Sequence, residues 1–168
     1  LEEQLSEVFR RMEKIRNDTG DPEEWDVHHW QDVNPIHTEG LLQLTCGGPQ
    51  VIYHGGLLHV RLRFFDSIQN RPGLPHDVAA LVSDLESSST TLELVNTSSV
   101  VEKTLIVQAG AFGEHKFTEI QDTNLKKNIY SVNSKEVKII LKPGRHVRLK
   151  LGYKRYCNNP SYNQPINY

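Results

Sequence analysis

Sulfur is scarce in this chain, which carries two cysteines and one methionine in 168 residues. Two thiols exclude a disulfide-stapled scaffold and allow at most one bridge, Cys46 to Cys157, which the sequence alone leaves open. Long apolar runs are missing as well. No stretch approaches the roughly 20 residues of a membrane-spanning helix, and no leader with an apolar centre precedes the first elements. A strong charge of one sign is also absent, since the net charge is −2 with histidine neutral. That balance argues against a dedicated nucleic-acid binder. The expectation is a soluble chain with neither a nucleic acid nor a membrane as partner, its compartment left open. Leu1 stands first and Met12 is the only methionine, which suggests a piece of something longer. Internal repeats and low-complexity tracts are lacking too.

What is present is alternation. Leu57 to Asp66 places Leu58, Val60, Leu62 and Phe64 on one side of a strand and the basic row His59, Arg61 and Arg63 on the other. The same logic sets Val137, Ile139 and Leu141 against Lys138 and Lys142, and Val147, Leu149, Leu151 and Tyr153 against Arg148 and Lys150. A hydrophobic content of 37% over this length suits one domain with a full core. The apolar phases predict that Val60, Leu62, Phe64, Leu92, Leu94, Val107, Ile139, Leu141, Val147 and Leu149 share that core.

Residues 1 to 16 read as a helix, because Leu1, Leu5, Val8, Met12 and Ile15 recur at helical spacing, and Gly20 suits its C-terminal cap. Residues 23 to 40 read as an irregular connector. Strands are expected at about 41 to 46, 50 to 54 and 57 to 65, then a short helix at 77 to 86 on the i, i+3, i+4, i+7 pattern of Val78, Leu81, Val82 and Leu85. From Thr90 the chain reads as strands at about 90 to 96, 101 to 109, 115 to 121, 128 to 132, 136 to 142 and 145 to 153. The predicted fold is therefore mainly β, an antiparallel β-sandwich with an N-terminal amphipathic helix and one short helix between strands. Its parts are a helix and connector at 1–39, the sandwich at 40–156 and an extended tail at 157–168.

Three stretches carry a resemblance. They are Thr45-Cys46-Gly47-Gly48-Pro49-Gln50 running into Tyr53-His54-Gly55-Gly56-Leu57-Leu58-His59, then Leu94-Val95-Asn96-Thr97-Ser98, then Val107 to His115. Together, over about residues 40 to 160, they resemble the C-terminal β region of large microbial multidomain proteins whose upstream part looks helical. Leu94-Val95-Asn96 and Leu141-Lys142-Pro143-Gly144 with Val147-Arg148-Leu149 are also similar to β-sandwiches appended to glycoside-processing enzymes. The resemblance implies an appended domain; it brings no catalytic motif.

Candidate chemistry is sparse. His54 and His59 would meet across the Gly55-Gly56 turn as metal ligands if the register allowed, though zinc needs three or four converging donors and turn histidines are the plainer reading. Glu114 beside His115, in Gly110-Ala111-Phe112-Gly113-Glu114-His115, is a candidate general acid/base pair, against the plainer reading of a glycine hairpin. Adjacent strand residues point to opposite faces, so the pair needs a bulge to cooperate. Trp25, Trp30, His59, Arg61 and Arg63 are candidate ligand contacts, the indoles for sugar rings and the basic row for carboxylates. Two triplets, Asn17-Asp18-Thr19 and Asn96-Thr97-Ser98, have the N-glycosylation pattern. No cofactor is expected. The function these signs suggest is a non-catalytic accessory β-sandwich of a larger, carbohydrate-active protein, acting in docking or stabilisation. It would pair through residues 1 to 16 with an upstream helical domain or with itself. The alternatives are a free-standing carbohydrate or ligand-binding module and a small metal-dependent enzyme.

Overall fold

A period of two buries one side of a strand and wets the other, so the alternation from position 60 onward calls for paired strands. The computed structural model of the protein describes residues 2–34, 38–48, 59–124 and 128–165. Along them run helices α1 (Glu2–Asn17), α2 (Val27–Val33) and α3 (Thr38–Cys46), with a 3-10 turn at Pro22–Glu24. Strands β1 (Leu62–Asp66), β2 (Arg71–Pro72), β3 (Val78–Leu85), β4 (Ser89–Asn96) and β5 (Lys103–Ala109) follow. Last come β6 (Lys116–Asp122), β7 (Ile129–Ser134), β8 (Glu136–Leu141) and β9 (His146–Lys154). The chain divides into two compact units, Leu1–Leu41 and Leu42–Tyr168.

The second unit is a sandwich of two antiparallel sheets, one in the order β2-β1-β5-β8 and the other β3-β4-β9-β6-β7. Leu62 and Phe64 of β1, Leu105 and Val107 of β5, Leu92 and Leu94 of β4, Phe117 of β6, Leu141 of β8, and Leu149 and Leu151 of β9 form one buried cluster. All ten residues expected in the core contribute to it, with Ile139 and Val147 half-buried at its margin. Asn96, fully buried, closes one end: its Nδ2 donates to the carbonyls of Val101 at 2.8 Å, Leu141 at 3.0 Å and Lys142 at 3.2 Å. A side-chain nitrogen so engaged is no glycan acceptor, whereas Asn17 ends α1 exposed.

The six strands expected from Thr90 onward are β4 to β9. Three expectations upstream are corrected. Residues 78 to 85 form a strand, not a short helix: β3 pairs along β4 from Val78↔Asn96 to Leu85↔Thr90, bulging between Val82 and Asp84. Val78 and Val82 point inward and Leu81 and Leu85 outward, 41% and 38% exposed. Spacing i, i+4 satisfies both a period of 2 and one of 3.6, so the two valines do not discriminate helix from strand. Residues 41 to 46, expected as a strand, complete α3, with Leu42 and Cys46 one turn apart against the sandwich core. The connector at 23 to 40, expected to be irregular, holds the end of the 3-10 turn, α2 and the start of α3. Within the strand expected at 57 to 65, pairing begins at Leu62; Leu57, Leu58 and the strand at 50 to 54 lie outside the described residues.

In the first unit α1 packs on α2. Asp26 starts α2 by accepting from the amides of His28 at 3.0 Å and His29 at 2.9 Å. These backbone bonds, His29's first, hold its carboxyl below the usual carboxylate range. Arg11 satisfies the other end, donating to the carbonyls of Gln31 and Asn34 at 3.1 and 3.0 Å, where the helix dipole favours a cation. Gly20 serves close packing rather than a left-handed cap: a Cβ there would lie 2.8 Å from Nε1 of Trp25. Val33 is the one buried apolar side chain among the described residues of this unit.

Candidate functional site

The loop joining β5 to β6 brings Glu114 and His115 into the interior, 7% and 2% exposed. Gly110 and Gly113 turn the backbone through φ of +86° and +69°, a region open mainly to glycine. The carboxylate of Glu114 folds back into the loop and accepts from the amides of Phe112 at 2.8 Å and Ala111 at 3.3 Å. A Cβ on Gly110 would overlap that carboxyl group. His115 Nδ1 accepts from the Tyr156 amide at 3.1 Å, which puts the proton of the neutral ring on Nε2. Nε2 stands 3.9 Å from Glu114 Oε1, beyond hydrogen-bond reach. Burial lowers the pKa of His115 most; Glu114 opposes the shift, and Arg155 and Arg61 add to it.

The segment after β9 straps this loop in place. Asn158 Nδ2 donates to the carbonyls of Gly113 and His115 at 3.0 and 2.9 Å, and the amides of Cys157 and Ser161 donate to Glu114 and Phe112. Tyr162 meets Phe112 edge to face at 5.2 Å. The Glu114 carboxylate and His115 Nδ1 thus accept from backbone amides, and both residues are buried.

The basic row is only partly a surface. His59 is exposed ahead of β1, but Arg61 and Arg63 are half-buried. Arg63 donates to the Ala111 carbonyl at 3.1 Å and lies 5.0 Å over the Phe65 ring. Nε of Arg61 and of Arg155 are buried and find no hydrogen-bond partner among the described residues. The alternate face of β1 and β5 is itself closed at Phe65, Ile106 and Gln108. His54 lies outside the described residues, and among those described no group of three or more His, Cys, Asp or Glu could hold a metal. Cys46 and Cys157 are free thiols; burial raises the Cys46 pKa, with Thr45 and Arg63 opposing. Among the described residues no helix is long and apolar enough to cross a membrane.

Trp25 and Trp30 do come together. Their rings stand edge to face at 4.9 Å, and His29 lies 4.1 Å from Trp25. With Ile15, Val33 and Asn34 the two indoles line a cavity of about 330 Å³ within the helical unit. That is the low end of the size range of small-molecule pockets. Asp18 lies 2.9 Å from Nε2 of His29, at an angle that does not make a hydrogen bond. Trp30 remains 50% exposed, and elsewhere in the same unit Leu5 is 52%, Phe9 57% and Val27 62% exposed. The sequence reading missed Phe9, one turn beyond Leu5 and so legible by spacing, and it missed Val33. Nothing local marks Asn158 or Tyr156 as partners of the 110–115 loop.

Residues 1–42 match the model of a family described as a domain of unknown function, DUF8034. The match falls on the helical unit, ahead of most of the stretch that carries the resemblance noted above. Among solved structures, a putative alpha-N-acetylgalactosaminidase of Bacillus halodurans C-125 is similar at 19% identity over 57% of this chain, with a TM-score of 0.41. The similarity covers 21% of that protein's chain. A search of curated proteins finds no match.

Proposed function

We propose that this chain is a non-catalytic accessory module of a larger, carbohydrate-active assembly, in which the sandwich is a rigid base and the helical unit docks. The observation that carries the reading is the imbalance within the helical unit. Its described residues bury one apolar side chain, Val33, while Leu5, Phe9, Val27, Trp30 and Leu41 each stand at least half exposed. A unit of that size with so little core needs a further apolar surface to cover it. The burial of the candidate acid/base pair supports the same reading, since Glu114 and His115 are enclosed and the Glu114 carboxylate and His115 Nδ1 accept from backbone amides. The test is an assay of the chain against a panel of polysaccharides, with and without divalent metal. No turnover is expected. Turnover abolished by His115→Ala or His59→Ala would overturn the accessory reading.

A second reading rests on the Trp25–Trp30 cavity, whose indole faces suit stacking on a sugar ring. Saccharide titration with calorimetry tests it. Heat of binding that disappears in Trp30→Ala would make this unit a ligand-binding module.

A further inference from the structure

The outward side of α1 has a pattern of its own. At about 100° per residue, Glu2, Leu5, Phe9, Glu13 and Arg16 fall within about 80° of arc. All five are exposed, while Val8 and Arg11, turned away from that arc, and Met12 at its edge are half-buried. Phe9 sits at the midpoint of the Glu2–Asn17 helix, so the face has an apolar centre, an acidic first turn and a basic last turn. Arg10 and Arg11 are taken up by Glu7, but among the described residues neither Glu2 nor Arg16 has an ion-pair partner.

We propose that α1 pairs antiparallel with α1 of a second copy of this chain, about a two-fold axis at Phe9, with Glu2 of each copy beside Arg16 of the other. The proposal rests on the accessory docking reading and names its partner. Three features select this geometry. A two-fold interface must be complementary to itself, and a helix face with opposite charges equally spaced from an apolar centre meets that condition only when reversed. Parallel pairing would set Glu2 against Glu2 and Arg16 against Arg16. Reversal also opposes the two helix dipoles favourably. The contact is small: a helix of 16 residues spans about 24 Å, and a single such pair buries less than the ~1,200 Å² of a stable interface. Association is therefore weak and depends on protein concentration.

Sedimentation equilibrium of the full chain over a concentration series tests the pairing. The mass should rise from 19.2 kDa towards its double. Phe9→Asp should weaken association at least about tenfold. Glu2→Arg or Arg16→Glu alone should weaken it about threefold, and the two together should restore it to within about twofold of the starting chain. All three positions of change are exposed, and far-ultraviolet circular dichroism should show the fold unaltered. A mass fixed at that of one chain, association indifferent to Phe9→Asp, or failure of the double reversal to restore it would each overturn the pairing. The polysaccharide assay on the same samples separates the two readings. A monomer without turnover overturns the pairing and leaves the accessory reading standing, whereas turnover overturns the accessory reading whatever the mass.

Discussion

The helical unit and the sandwich differ in where their apolar residues go. In the sandwich, seventeen buried residues from Cys46 to Tyr153 form one cluster between two sheets. In the helical unit Val33 is the one buried apolar side chain among the described residues. Full burial of one such side chain contributes about 1.5–3 kcal/mol, while ordering each residue's backbone costs about 1–2 kcal/mol. One unit has a core equal to holding its fold; the other has capped helices and ion pairs, with most of its apolar surface still outside. Caps and paired arginines specify where helices begin and end, but they supply little of what holds them together.

The largest expected effect lies in the sandwich. Phe117 is fully buried, and Phe117→Ala should cost about 3–5 kcal/mol in a denaturant titration. A loss much below that range would mean the sandwich does not depend on its core as the contrast requires. Gly110→Ala comes next, at about 1–3 kcal/mol, because it places a side chain at φ +86° and forces Glu114 away from the amides of Ala111 and Phe112. A smaller effect follows from His115. Its folded pKa is depressed, so the neutral ring's contribution is complete above the free histidine value of 6.5. That contribution is lost as pH falls from there through the folded value. Protonated Nδ1 no longer accepts from Tyr156, a bond worth about 0.5–1.5 kcal/mol. The protection factor of the Tyr156 amide, its exchange rate set against the intrinsic rate at each pH, should fall on acidification, and an unchanged protection factor across that range would contradict the strap's anchoring. Leu81→Asp should change stability by less than about 1 kcal/mol, mostly through repulsion from Glu93 opposite it on β4. A loss of several kcal/mol would restore the helical reading of 78 to 85. Smallest of all, Phe9→Ala in dilute solution should stay within about 0.5 kcal/mol; a larger loss would show that α1 already buries this ring.

Much of the sandwich was readable in advance. Leu92 and Leu149 stand between polar neighbours, and Leu94, Val107 and Leu141 keep the period of two along their strands, a pattern that survives any change of partner strand. Of the site, Trp25 and Trp30 were legible as a pair by their closeness in sequence. Glu114 and His115 were legible as unusual residues, but their work was not. The carboxylate bonds within its own loop, while the imidazole bonds to a residue 41 positions away. Local pattern holds no record of such a contact.

The sequence alone determined that this chain is a two-sheet antiparallel sandwich behind an amphipathic helix, because a period of two leaves only one face of each strand to bury. Only the tertiary structure decided the cases in which two periods share the same residues. Val78 and Val82 satisfy a helix and a strand equally, and pairing with β4 made them a strand. Leu42 and Cys46 stand in the same relation and became a turn of helix. Tertiary structure alone also decided that the histidine beside an acidic residue would brace a loop, because its partner, the amide of Tyr156, lies 41 positions along the chain and meets the ring only in the fold.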